Sequence, residues 1–167
     1  EVTGDSHWLD IVNAYWKCAV TDRGCLATGG QTAGEVWMPK MKMKARLGDK
    51  NQEHCTVYNM MRLAEFLFRH TGDPGYAQYR EYNLYNGVMA QTYYQDYGLN
   101  GNPHEHPRTG LLTYFLPMKA GLRKDWSSET DSFFCCHGTM VQANASLNRG
   151  IYYRDRDDFY VCQYFDS

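Results

Sequence analysis

The sequence predicts a mainly α-helical fold that gives way to β-strands at its C-terminal end. Apolar residues recur at helical spacing over residues 5–20 and again through two long stretches after Glu53. A sharp stop, Thr71-Gly72-Asp73-Pro74, divides those stretches into a helical hairpin. After residue 148 the period changes, and Ile151-Tyr152-Tyr153 and the run 159–165 read as strands.

The first helix is set by Trp8, Ile11, Val12, Tyr15, Trp16 and Ala19, with Asp5 or Ser6 as cap and Gly24 as terminator. A glycine-rich loop, Thr28-Gly29-Gly30-Gln31-Thr32-Ala33-Gly34-Glu35, follows. No strand precedes it and no Gly-Lys-Ser/Thr follows, so it does not read as a phosphate loop. Its glycines suit a sharp turn or a close approach of backbone to a ligand. Glu53-His54-Cys55 opens the second helix, whose apolar face carries Val57, Met60, Met61, Ala64, Phe66, Leu67 and Phe68. Pro74 suits the first turn of a third helix running to about Tyr93. Its Tyr79, Tyr82 and Tyr85 read as helix packing. Residues 97–131 carry few helix signals but many apolar side chains, which predicts an ordered functional loop. A last helix is expected over 139–148, and the segment Arg154-Asp155-Arg156-Asp157-Asp158 as the turn between the strands. Helices followed by strands suggest a helical domain handing over to a separate β domain.

Composition narrows the function classes. The chain has 167 residues, long enough for one sizeable core, and 43% are hydrophobic. A formal charge of −2 leaves no electrostatic footprint for nucleic acid or an anionic membrane. No apolar run approaches the roughly 18 residues of a membrane span, and no signal peptide is evident. Both ends fall within structured-looking sequence, so a piece of a larger protein is expected. Aromatics make up 15% of the chain, which fits either sugar-stacking surfaces or an ordinary core. Six scattered cysteines in a chain of this length suit reduced, metal-binding use better than a disulfide framework. The compartment is left unknown, with the reduced cysteines leaning towards the cytoplasm.

The stretch Phe133-Phe134-Cys135-Cys136-His137 carries the most chemistry. Neighbouring cysteines lie about 3.8 Å apart at Cα, short of the roughly 5.5–6 Å that a disulfide favours. Their thiols therefore face something else: a metal, a substrate, or a core in which they serve as small hydrophobes. Glu53-x-Cys55 and Cys135-Cys136 together offer four ligands of the kind that select zinc, although the spacing matches neither a finger nor a ribbon. On residue chemistry alone Glu35 is equally a surface carboxylate, and Glu53 a favourable charge at a helix start. His54, His104, His106 and His137 read as solvated or hydrogen-bonded. His104-Glu105-His106 lacks the spacing of a helical zinc motif. Cys18, Cys25 and Cys162 read as structural.

Taken in order, Gly29-Gly30…Gly34-Glu35, Glu53-His54-Cys55, Thr71-Gly72-Asp73, Tyr114-Phe115-Leu116-Pro117 and Phe134-Cys135-Cys136 resemble glycoside hydrolase family 127 and its relatives. These are β-L-arabinofuranosidases once grouped as a domain of unknown function. The resemblance spans nearly the whole chain. It implies a mainly α fold in which residues 1–148 are the later part of an (α/α)6 catalytic barrel. Residues 149–167 would be the first strands of a β-sandwich domain, and the rest of the barrel and the β domains would lie outside this chain. It implies Zn2+ as cofactor, held by Glu53, Cys55, Cys135 and Cys136. Cys135 would be the nucleophile, Glu35 the general acid/base, and Tyr114 and His7 substrate-binding residues. The implied partner is an arabinofuranose-containing oligosaccharide or glycan. His137-Gly138-Thr139 departs from the family, in which proline often follows the cysteines.

That chemistry is coherent. A retaining glycosidase ordinarily uses two carboxyl groups about 5–5.5 Å apart, and here a zinc-held thiolate would replace one of them. Three thiolates and a carboxylate on Zn2+ sum to −2, too electron-rich to activate water strongly but suited to keeping a cysteine ionised. A non-catalytic, zinc-stabilised helical module that binds carbohydrate or a protein is the alternative. It needs the four ligands but not Glu35.

Overall fold

Helix α2 (His54–Thr71) is the element against which the rest of the chain packs. The protein is represented by a computed structural model, which describes residues 2–94, 110–128 and 131–164. His104, Glu105 and His106 lie outside the described residues.

The α2 face carrying Val57, Met60, Met61, Ala64, Leu67 and Phe68 is buried, as its periodicity predicts. Burying one such leucine fully contributes about 1.5–3 kcal/mol. Gly72 ends the helix at φ +68, and its N–H donates to the Phe68 carbonyl at 2.8 Å. Asp73 then caps α3 (Pro74–Asn83) by accepting the Gly75 N–H at 2.8 Å, with Pro74 in the first turn. The hairpin is thus built by the residues that announce it.

Helix α1 (Ser6–Trp16) is capped by Asp5, which accepts the His7 N–H at 2.9 Å. Its end packs Trp16 edge-on against Tyr76 and Tyr79, closing a core with Ala19, Met60, Ala64 and Leu67. A second core joins α2 to Leu84, Val88, Leu112, Cys136, Met140 and Ala143. Cys136 and Met140 belong to α4 (Cys135–Ala145). This helix begins four residues earlier than its sequence pattern predicts, so both cysteines lie inside its first turn. The His137 Nδ1 accepts the Phe134 N–H at 3.0 Å, which fixes that early start.

Two helices widen where no sequence signal marks it. Lys17–Thr21 after α1 and Leu84–Val88 after α3 are π-helical turns. The helical run predicted to Tyr93 instead closes with a 3₁₀ turn, Met89–Gln91. Among the described residues the strands form three antiparallel pairs. They are β1 (Thr32–Ala33) with β2 (Val36–Trp37), β3 (Thr92–Tyr94) with β4 (Gly110–Leu112), and β5 (Tyr152–Asp155) with β6 (Asp158–Val161). The last pair is the C-terminal hairpin expected from the sequence, with its turn tightened to Arg156-Asp157. Phe68 of α2 packs edge-on against Tyr153 and Tyr160 of that hairpin. The structure is mainly α. No described helix is long and apolar enough to cross a membrane.

Candidate active site and metal centre

Glu53 is the N-cap residue of α2, yet its side chain makes no capping bond. Its carboxylate accepts the Thr56 hydroxyl at 3.1 Å through Oε2 and turns Oε1 towards Cys135 Sγ, 3.9 Å away. The Glu53 backbone N–H donates to the Thr32 hydroxyl at 3.1 Å, which ties the helix start to β1. Two residues on, Cys55 Sγ lies 3.6 Å from Cys136 Sγ, and Cys136 Sγ lies 4.0 Å from Cys135 Sγ. The four donor atoms of Glu53, Cys55, Cys135 and Cys136 lie within 4.8 Å of one another and could hold a metal ion. About 80 residues separate the two ligand pairs in sequence. They meet because the first turns of α2 and α4 pack together.

The cluster is buried on one side and open on the other. Cys136 is fully buried, Cys55 half-buried and Cys135 exposed. Burial pushes the Cys55 thiol up to about 11, and burial likewise raises Cys136. Thiolates crowded in a half-dry site are disfavoured unless a cation compensates them, and a bound divalent ion inverts that preference. All six cysteines are free.

Glu35 projects from the tight turn between β1 and β2, where Gly34 takes φ +65. Its carboxylate Oε1 accepts the Tyr114 hydroxyl hydrogen bond, and the same hydroxyl lies 3.4 Å from Cys135 Sγ. One phenol thus bridges the carboxylate and the exposed thiol. Its hydrogen bonds to Cys135 and to Glu35, in that order of weight, raise the Tyr114 pKa and keep it protonated. A cleft of about 280 Å³ opens beside Glu35 and Cys55, lined also by Tyr15, Trp37, Thr32 and Asn59 among others. Tyr114 is held from behind: its ring packs on Phe115 and Phe134, 4.4 and 5.2 Å between centroids.

His7 lies exposed in the first turn of α1, with its ring near Trp8. Among the described residues no hydrogen bond joins it to Glu35, Tyr114 or Cys135. His54, between two cluster residues in sequence, is fully buried and is not one of the four clustered donors. Burial lowers its pKa to about 4, so the ring is neutral near pH 7. Its Nδ1 lies 2.8 Å from the Thr139 hydroxyl, which in turn lies 3.4 Å from Cys55 Sγ. Thr139 is one helical turn beyond Cys135. That spacing was its only sequence signal.

A family model for the β-L-arabinofuranosidase GH127 catalytic domain matches residues 1–149. The chain belongs to this family. Membership implies a glycoside hydrolase with glycans as its substrate class. No curated protein is similar enough to the chain to count as a relative. Of the residues that the resemblance of this GH127 chain singles out, geometry gathers six. Glu35, Glu53, Cys55, Tyr114, Cys135 and Cys136 fall in one connected cluster, whereas His7 stands apart from it.

Proposed function

We propose that the protein is a retaining β-L-arabinofuranosidase in which Cys135 is the nucleophile and Glu35 the general acid/base. Residues 1–148 would form the later part of an (α/α)6 barrel, with 149–167 beginning a β-sandwich domain. The observation that carries the reading is the Tyr114 hydroxyl shared between Glu35 and Cys135, beside the cysteine cluster. A structural metal site has no use for a separate carboxylate poised against one of its thiols.

The cluster fits zinc. A tetrahedral site with Zn–S distances of about 2.3 Å spaces its ligand atoms roughly 3.7 Å apart. The sulfur–sulfur separations of 3.6 and 4.0 Å and the sulfur–oxygen separation of 3.9 Å bracket that value. Three thiols and one carboxylate are a donor set that favours zinc over harder ions. Glu53, Cys55, Cys135 and Cys136 would hold it, and bound zinc would keep the Cys135 sulfur ionised near neutral pH.

The remaining chemistry belongs to the side chains. The Cys135 thiolate attacks the anomeric carbon, the glycosidic C–O bond breaks, and the Glu35 proton passes to the departing oxygen. A covalent thioglycoside on Cys135 results. Glu35, now a carboxylate, takes a proton from water as the water oxygen attacks the same carbon. The C–S bond then breaks and the thiolate returns. Tyr114 orients Glu35 towards the sulfur and stays protonated throughout. His7 would contact the sugar.

Glu35→Gln in the full-length protein tests this. Hydrolysis of arabinofuranosides with unactivated leaving groups should fall by about 10²–10⁴-fold, the usual contribution of general acid–base catalysis. Metal content should not change. Undiminished hydrolysis would remove Glu35 from the mechanism and favour the non-catalytic module.

A further inference from the structure

Gln91 closes the helical run after α3, and its side chain is fully buried. Its Nε2 lies 3.2 Å from the Gln52 carbonyl oxygen, 3.3 Å from that of Thr113 and 3.1 Å from that of Tyr114. Three carbonyls around one atom identify that atom as the amide nitrogen. Gln52 directly precedes Glu53 and takes φ +52, a left-handed conformation unusual for a non-glycine residue. It is fully buried too. Its Oε1 accepts the Gly30 N–H at 3.1 Å and the Thr28 hydroxyl, and its Nε2 donates to the Asn86 carbonyl at 3.2 Å. Asn86 lies in the π-helical turn after α3. A Cβ on Gly30 would come within 2.5 Å of the Gln52 Oε1, so the glycine loop closes on this amide and not on a ligand.

We propose that Gln52 and Gln91 form a buried amide clasp that sets Tyr114 and the Glu35 hairpin against the start of α2, making Gln91 a positioning residue for proton transfer by Glu35. Gln91 touches neither thiol nor carboxylate. It acts through the Tyr114 backbone, whose side chain holds Glu35, and through the Gln52 backbone, which leads into Glu53. Its own Oε1 has no hydrogen-bond partner among the described residues. The three carbonyls it gathers explain why an amide stands there. The Gln52 amide likewise explains Gly30, which leaves room for it, while Gly29 leaves room for Asn83.

The inference rests on the glycosidase reading above, and one comparison separates the two. In the full-length protein, kcat/KM is measured for a nitrophenyl β-L-arabinofuranoside and for an arabinofuranose disaccharide, alongside zinc content and melting temperature. Nitrophenolate departs with little protonation, whereas the disaccharide needs a well-placed Glu35. Gln91→Leu should lower disaccharide hydrolysis by about 30-fold or more, since displacements near 1 Å can cost about 10²-fold. Nitrophenyl hydrolysis should fall by less than about fivefold, with zinc retained. A partly unfolded variant would lower both by the same factor. Gln91→Glu, the same shape with a carboxylate facing the carbonyls, serves if the leucine variant does not fold, and should show the same selective loss. Equal losses on both substrates, or failure of both variants to fold, would overturn the clasp alone. A wild-type enzyme inactive on both substrates would overturn the arabinofuranosidase reading and the clasp with it.

Discussion

Glu53, Cys55 and Cys136 hang from the first turns of two packed helices, whereas Glu35 hangs from a hairpin whose strands are two residues long. The first group is half to fully buried, and Cys55 and Cys136 pack in a core with Val57, Leu84 and Met140. Glu35 is exposed, with the Tyr114 hydroxyl as its side-chain hydrogen-bond partner. Ligands that must converge on one point are placed by rigid helix starts. On the proposed mechanism, the acid/base that must meet a sugar and then a water is placed by a short hairpin instead. Cys135 stands at the boundary, a member of the cluster yet exposed beside the phenol.

That boundary can be broken most sharply at the cysteine pair. Cys135→Ser should lower activity by on the order of 10⁴-fold or more while leaving zinc bound, though more weakly. Cys136→Ser should instead release the metal, because its sulfur is the fully buried member of the set. Metal analysis of the two variants separates the roles. Mass spectrometry after treatment with an electrophilic arabinofuranose probe should find the label on Cys135. A label on Cys136 or Glu53 would reverse the assignment.

How far each region could be read from the sequence follows the same division. Helix α2, its glycine stop and the Asp73-Pro74 restart were legible because periodicity and capping are local properties. The early start of α4 was not, since it depends on the His137 ring reaching back to the Phe134 N–H. The π-helical turns at Lys17–Thr21 and Leu84–Val88 left no trace, because each is too short for a change of period to register. Strands β1 to β4 are too short for alternation to register. At the site, motif residues were found through family resemblance, and geometry gathers them except for His7. Gln52 and Gln91 were missed because a buried amide has no period and no motif. Gly30 was their one visible shadow, read as suiting a sharp turn or the approach of a ligand when it makes room for the Gln52 side chain.

Tyr114→Phe sharpens the comparison from the hairpin side. It removes the hydroxyl that joins Glu35 to Cys135 and leaves the ring packing on Phe115 and Phe134. A hydrogen bond to a charged group contributes about 1.5–3 kcal/mol, which corresponds to a loss of roughly 10–150-fold in kcat. The melting temperature and zinc content should hold. A variant that lost zinc along with activity would show that Tyr114 supports the cluster and not the acid/base.

The smallest expected effect lies in the hairpin turn. Gly34 takes φ +65, and a Cβ added there would meet nothing within 4 Å. Gly34→Ala therefore costs only the backbone penalty of a left-handed non-glycine residue, about 1–2 kcal/mol. In a helix core such a cost would appear in global stability. In a hairpin of two-residue strands it should appear as local opening, since short exposed segments open well below the global unfolding energy. The melting temperature should then move by less than about 2 °C, while activity on unactivated substrates falls by up to about fivefold. Gly34→Asn should recover most of that loss, because asparagine tolerates the left-handed region better than alanine. A drop in melting temperature matched to the loss of activity would mean that the hairpin unfolds with the helices, and that Glu35 is held as rigidly as the ligands it faces.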